Sequence, residues 1–168
     1  MTLESEPDQR RQRVIAWHDP LLVAARGREM SGIDYLRAIM EGTMPPPPIF
    51  ALVGFALVEV GEGRTAFTFQ PAEFHYNPMG VVHGGAAATV LDSAMACAIV
   101  TLLPSGVLCT TLEFKINYLR ALSHETGLLR AEGKVIHVGA RIATSEARLL
   151  DEHGKLYAHA TTTCILLK

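Results

Sequence analysis

Residues 77–95 read NPMGVVHGGAAATVLDSAM, a loop that passes through His83, Gly84 and Gly85 into an apolar stretch of small residues broken by one carboxylate, Asp92. The stretch runs on to Leu103 and stops at Pro104, which cannot extend a helix. It approaches the length of a membrane span, yet its alanines, its threonines and Asp92 favour a helix buried in a soluble domain. A helix apolar on all sides must be covered on all sides, and the partner this chain offers is a sheet curved around it.

The flanking segments supply that sheet. Residues 51–60 and 64–70 are rich in β-branched and aromatic side chains and flank Gly61-Glu62-Gly63, a hairpin signal. Residues 111–118 alternate, with Leu112, Phe114, Ile116 and Tyr118 on one face and Thr111, Glu113, Lys115 and Asn117 on the other, which predicts a half-buried strand. Residues 128–138, 141–150 and 156–166 read as three more strands, the last two joined by Asp151-Glu152-His153-Gly154-Lys155. Connections this short exclude parallel crossovers. The expected class is therefore α+β, one long central helix wrapped by a curved antiparallel sheet over residues 49–168. Residues 1–48 form a separate arm, charged at first and then helical in period, with Ile33, Leu36, Ile39 and Met40 on one stripe and Gly42 placed to end it. The proline run at 45–48 favours a stiff, extended link. The arm is expected to pack over an apolar surface, with a substrate lid as the alternative.

Composition narrows the function. The 168 residues are 49% hydrophobic, enough for one domain with its own core. A net charge of -2 gives no positive field for sequence-independent nucleic-acid binding. Cys97, Cys109 and Cys164 are odd in number and lie in apolar runs, so they read as reduced, buried thiols of a cytoplasmic protein. The apolar residues after Arg10, Arg11 and Arg13 are too few for a signal peptide, and neither a targeting segment nor membrane association is expected.

Gly84 and Gly85 stand where a loop becomes a helix, and the first helical turn has N–H groups without internal acceptors. Those donors and the helix dipole favour negative charge. A residue without Cβ lets a ligand carbonyl approach the Gly84 amide, a geometry suited to the oxyanion of acyl transfer; a tight turn needing glycine is the plain alternative. Asp92 adds weight to the first reading, because a lone carboxylate in an apolar helix is either a hydrogen-bonded structural acid or a general base or nucleophile. Eight residues of helix separate Gly84 from Asp92 by about 12 Å. A donor and a base acting on one carbonyl must each come within roughly 3 Å of it. Two antiparallel helices across a two-fold axis solve this, with Gly84 of one chain meeting Asp92 of the other in an isologous homodimer.

Three segments, HYNPMGVVHGG (75–85), LDSAMACA (91–98) and TTLEFKINYLRAL (110–122), carry a resemblance. Over about residues 50–168 the chain resembles the hotdog-fold acyl-CoA thioesterases of the phenylacetate-pathway (PaaI-like) family, whose signature Asn-Pro-x-Gly-x-x-His-Gly-Gly precedes an Asp on the helix. The resemblance implies hydrolysis of an acyl-CoA to free acid and CoA with no metal and no redox cofactor. The acyl group is expected to be medium-chain or aromatic, and the homodimer to pair into a dimer of dimers. By position the resemblance makes Asp92 the base or nucleophile and Gly84 the oxyanion donor, with Asn77 and His83 arranging the carbonyl or the water. Thr111 falls where relatives place a hydroxyl that orients water, with Thr110 beside it as the competing position. The resemblance also brings His137, Val138, Gly139, Arg141 and Arg120 to the CoA phosphates. Taken alone, Arg120 and Arg141 are surface charges, Asn77-Pro78 is a turn signal, and His83 reads nearly as well as a histidine bonded to nearby backbone. His75, His83 and Asp92 are metal-ligand types, but their spacing fits no ligand pattern, so no metal is expected. The arm departs from the family pattern. Two other functions compete: a hydratase or dehydratase acting on an enoyl-CoA through His83 and Asp92, and a non-catalytic acyl-CoA-binding module.

Overall fold

The computed structural model describes residues 10–168; residues 1–9 of the arm lie outside the described residues. The arm contributes helices α1 (Pro20–Gly27) and α2 (Gly32–Met40), and α3 (Pro48–Val53) follows the prolines. Strands β1 (Phe55–Gly61) and β2 (Arg64–Phe69) precede the long helix α4 (Gly84–Val100), and β3 (Leu108–Tyr118), β4 (Leu129–Val138), β5 (Ile142–Asp151) and β6 (Leu156–Leu167) come after it. The six strands form one sheet of order β1-β2-β4-β5-β6-β3, antiparallel at every pairing. This is the expected α+β arrangement, a long helix held by an antiparallel sheet.

Helix α4 turns Ala87, Val90, Leu91, Ala94, Met95, Ala98 and Ile99 inward, the three-and-four spacing of one helical face. Most of that face packs on Phe67, Phe69, Leu129, Ala131 and Leu149 of the sheet. Helix and sheet meet closely at Gly133, where a Cβ would lie 2.1 Å from the Ala94 carbonyl oxygen. Beside it the buried hydroxyls of Thr65 and Ser145 donate to the carbonyls of Ala94 and Met95 at 2.9 and 3.0 Å. Those bonds satisfy hydroxyls that burial would otherwise penalise, and they fasten the middle of α4 to β2 and β5.

Strands β2 to β6 all pack against α4, yet they do not bury every side of it. Ala88, Thr89, Asp92, Ser93 and Ala96 remain half-buried within one chain. Another flank is closed by the arm: Gly32 sits so close to α4 that a Cβ there would strike the Val100 carbonyl. Leu36, Ile39, Met44 and Phe50 join the core cluster of Phe67 and Leu91. Met40, expected on the same stripe, is the last residue of α2 and is 37% exposed.

Residues 51–53, expected to begin a strand, are helical. Pro48 occupies the first turn of α3, where its missing N–H costs nothing, and Gly54 at φ 81° ends the helix. The proline run is thus extended only up to Pro47. Phe50 decides the matter by packing its ring 4.6 Å from Phe55 and 5.4 Å from Phe67. Strand β3 also differs from the expected half-buried strand. It lies at the edge of the sheet with a bulge between Thr111 and Glu113, and Leu112 (55%), Phe114 (37%) and Tyr118 (50%) are exposed.

Candidate active site

The loop before α4 is built from backbone hydrogen bonds closed by side chains. The Asn77 carboxamide oxygen accepts from the amides of Met79 and Val81 at 2.9 and 3.4 Å, so this side chain closes the turn. His83 caps α4: its Nδ1 accepts from the Gly85 N–H at 2.8 Å. An amide can only donate, so Nδ1 is the acceptor in this bond. The Gly84 N–H has no acceptor among the described residues. Its carbonyl accepts from the Tyr118 hydroxyl at 2.8 Å, and a Cβ at position 84 would stand 3.0 Å from Tyr118 Cζ and Oη. Room for a side chain here is narrow because the tyrosine comes so near. Against this junction lies a cavity of about 350 Å³ lined by Val82, His83, Gly84, Tyr118, Arg120 and Tyr157, among others.

Asp92 lies eight residues along α4, on the flank that faces β3 rather than on the buried stripe. Thr111 Oγ1 donates to Asp92 Oδ1 at 2.8 Å. Of the two neighbouring threonines it is Thr111 that makes this contact, whereas Thr110 is exposed. Among the described residues the second carboxylate oxygen has no hydrogen-bond partner. Thiols gather around the pair: Cys164 Sγ is 3.8 Å from Thr111 Oγ1, Cys109 Sγ reaches the Ala96 carbonyl at 3.9 Å, and all three cysteines are unbridged. Asp92 does not line the cavity at Gly84. One chain therefore holds the amide donor and the carboxylate on one helix, about 12 Å apart.

The expected phosphate contacts do not converge within one chain. Arg120 lines the cavity at the start of α4 and donates to the Leu156 carbonyl. His137, Val138, Gly139 and Arg141 belong to the β4–β5 hairpin, closed by the Gly139 N–H on the Ile142 carbonyl at 2.8 Å. Val138 packs with Ile99 and Leu103 near the other end of α4. A larger depression of about 430 Å³ lies over β2, β4 and β5, but Arg130 within it is already paired with Glu59 and Glu132. Tyr118 and Tyr157 are site residues that the sequence did not single out. Alternation puts Tyr118 on the apolar face of its strand, and only its position at the strand end, next to Leu119-Arg120, sets it apart. No described helix is long and apolar enough to cross a membrane.

Residues 79–158 match the Thioesterase superfamily. A 1,4-dihydroxy-2-naphthoyl-CoA hydrolase of Listeria monocytogenes is 25% identical over 116 residues, 69% of this chain and 93% of its own length. A conserved protein of Pseudomonas aeruginosa of known structure superposes with a TM-score of 0.68 at 32% identity, covering 73% of this chain and 95% of that one. A protein of Ralstonia eutropha related to phenylacetic acid degradation gives 0.70 at 28% identity, over 78% and 98% of the two chains.

Proposed function

Because the chain belongs to the thioesterase superfamily, we propose that it hydrolyses an acyl-CoA to free acid and CoA at sites that two chains build together. The observation that carries this reading is the separation on α4 between a Gly84 amide with no acceptor and a carboxylate bonded by Thr111. The exposed apolar residues of edge strand β3 support the pairing of two copies. With the helices antiparallel, Gly84 and Tyr118 of one protomer approach Asp92 and Thr111 of its partner. The same pairing brings Arg120 of one chain toward the 137–141 hairpin of the other, so that a CoA phosphate group finds both. Two such dimers associate in the full assembly.

The thioester carbonyl accepts from the Gly84 N–H, with the His83 Nε2–H as a second donor at the cavity wall. Asp92 takes a proton from water as the water oxygen bonds to the carbonyl carbon. Thr111 gives its only proton to Asp92, so toward that water it acts as an acceptor and aims it. The C–S bond then breaks, CoA leaves as a thiolate and takes up a proton, and the acid is released ionised. A thiolate leaves without strong acid assistance, so no metal or redox cofactor is required. An aromatic or medium-chain acyl group suits the cavity with Tyr118 and Tyr157 in its lining, and the relative acting on a naphthoyl-CoA supports an aromatic one. Residues 1–48 serve as an accessory arm to the catalytic body at 49–168. Three unbridged thiols fit the reducing cytoplasm, and the net charge of -2 fits a small-molecule substrate rather than nucleic acid.

Thiol release from a panel of acyl-CoAs tests the proposal. Asp92→Asn is expected to lower kcat at least about 100-fold on the best substrate. Equal, slow release by wild type and variant on every substrate refutes the reading, and water addition to an enoyl-CoA without CoA release assigns the hydratase instead.

A further inference from the structure

His75 touches neither the cavity nor Asp92, yet every polar atom it owns is engaged by the backbone. Its N–H donates to the Ala72 carbonyl at 3.0 Å and its carbonyl accepts from the His83 N–H at 2.7 Å. In the ring, Nδ1 accepts from the Ala72 N–H at 2.9 Å and Nε2 meets the Val53 carbonyl at 2.7 Å. An amide N–H can only donate and a carbonyl can only accept, so the ring is neutral with its proton on Nε2. It is 8% exposed, between Phe69 and Phe74 at centroid distances of 5.1 and 4.2 Å.

The two ends of this connection matter. Val53 is the last residue of α3, and its carbonyl is one of those a helix end leaves without an internal donor. His83 is the cap of α4 and directly precedes Gly84. We propose that His75 is a positioning residue: its neutral ring, anchored on Val53 and Ala72, holds the His83–Gly84 backbone so that the Gly84 N–H points at the substrate carbonyl. The inference rests on Gly84 being the oxyanion donor.

The surroundings keep the ring neutral. Burial comes first, and it outweighs the pull of the Val53 carbonyl; the Arg13 guanidinium adds to it, so the imidazole is held below its ordinary value. Arg13 lies 4.2 Å over the Phe74 ring and donates to the Leu52 and Ala51 carbonyls at 2.9 and 2.5 Å. Glu73 is paired with Arg11 at 2.9 Å, and His83 approaches through its backbone N–H. A second ring proton would set Nδ1–H against the Ala72 N–H and release the loop. Because the folded value lies below the unfolded one, this contribution to stability is complete above about pH 6.5 and is lost as pH falls through the folded value.

The test uses full-length His75→Gln, which keeps an amide donor for Val53 and cannot titrate, beside His75→Phe, which removes both ring bonds. For His75→Gln the expected result is a kcat lower by about tenfold, KM within about twofold of wild type, and a flatter acid side of the pH–rate profile below about pH 6.5; His75→Phe falls further. A long-range ¹H–¹⁵N spectrum of the wild type is expected to place the proton on Nε2 at neutral pH. A proton on Nδ1, or wild-type kcat and pH profile in both variants with only a lower Tm, overturns the proposal. A wild type that releases no thiol from any acyl-CoA overturns the thioesterase reading instead. Hydrogen exchange then judges the positioning: faster exchange at the Gly84 and Gly85 amides in His75→Gln supports it, and unchanged exchange overturns it.

Discussion

Replacing Gly84 with proline removes the backbone hydrogen that the proposed oxyanion site draws on, and the backbone is already shaped to accept the change. Residue 84 is the first of α4, where the helix makes no use of its N–H. His83, at φ -61° and ψ 130°, already has the extended conformation that a following proline requires. The new Cβ would lie 3.0 Å from Tyr118 Cζ and Oη, so the half-exposed ring must yield by a few tenths of an ångström. Gly84→Ala imposes that same contact but keeps the N–H. The ratio of the two variants therefore isolates the donor, and proline is expected to lie about 10²–10³ below alanine in kcat, or about 2.7–4 kcal/mol. The shared site supplies a second number. If Gly84→Pro and Asp92→Asn chains exchange at random in equal amounts, about half the dimers are mixed, and each mixed dimer has one intact site of two. About a quarter of wild-type activity should then return from two inactive proteins. Co-refolded chains with two different tags, assayed by thiol release, give the measurement. No recovery in a mixture shown to contain the mixed dimer refutes the shared site, and so does a proline variant as active as the alanine one.

Three other outcomes are expected. Thr111→Val deletes the 2.8 Å bond to Asp92 and should lower kcat about tenfold, with roughly 1.5 kcal/mol at stake, while Thr110→Val stays within about twofold; steady-state kinetics of the pair decides between the two threonines. Leu112→Asp combined with Phe114→Arg places charge on exposed apolar positions of β3, and light scattering should find monomers with activity reduced by at least about 100-fold. Gly133→Ala drives a methyl to within 2.1 Å of the Ala94 carbonyl, a backbone atom that cannot swing aside, and thermal unfolding should show a loss of about 3 kcal/mol.

The parts of the fold legible in the sequence were those that periodicity and punctuation encode. The helix announced itself by an apolar run between Gly84 and Pro104, and the β5–β6 hairpin by the polar turn at residues 151–155. Helix α3 was missed because PIFALV is apolar at every position, which suits a strand and a buried helix equally. The proline ahead of it and Gly54 after it were the signals to weigh. The exposure of Leu112 and Phe114 was hidden for another reason: alternation shows that a strand has an apolar face, but not whether the cover comes from the same chain. At the site, residue types pointed to Gly84 and Asp92 as candidates, and which threonine meets Asp92 awaited the register of β3 against α4. Asn77 and His83 are expected by resemblance to arrange the carbonyl or the water, and the structure adds that both also close the loop by intrachain bonds. Tyr118 entered the site because the strand ends there and its hydroxyl turns back onto Gly84.

The hydroxyls of Thr65 and Ser145 on the carbonyls of Ala94 and Met95 act as two rivets through a girder. Sliding or rolling α4 by one residue would strand both in a dry interior, so the core fixes the span between the Gly84 amide and the Asp92 carboxylate. Under the proposed function, a change of acyl preference has to come from the cavity wall, at Leu119, Ala121 and Tyr157, and not from a shift of the helix.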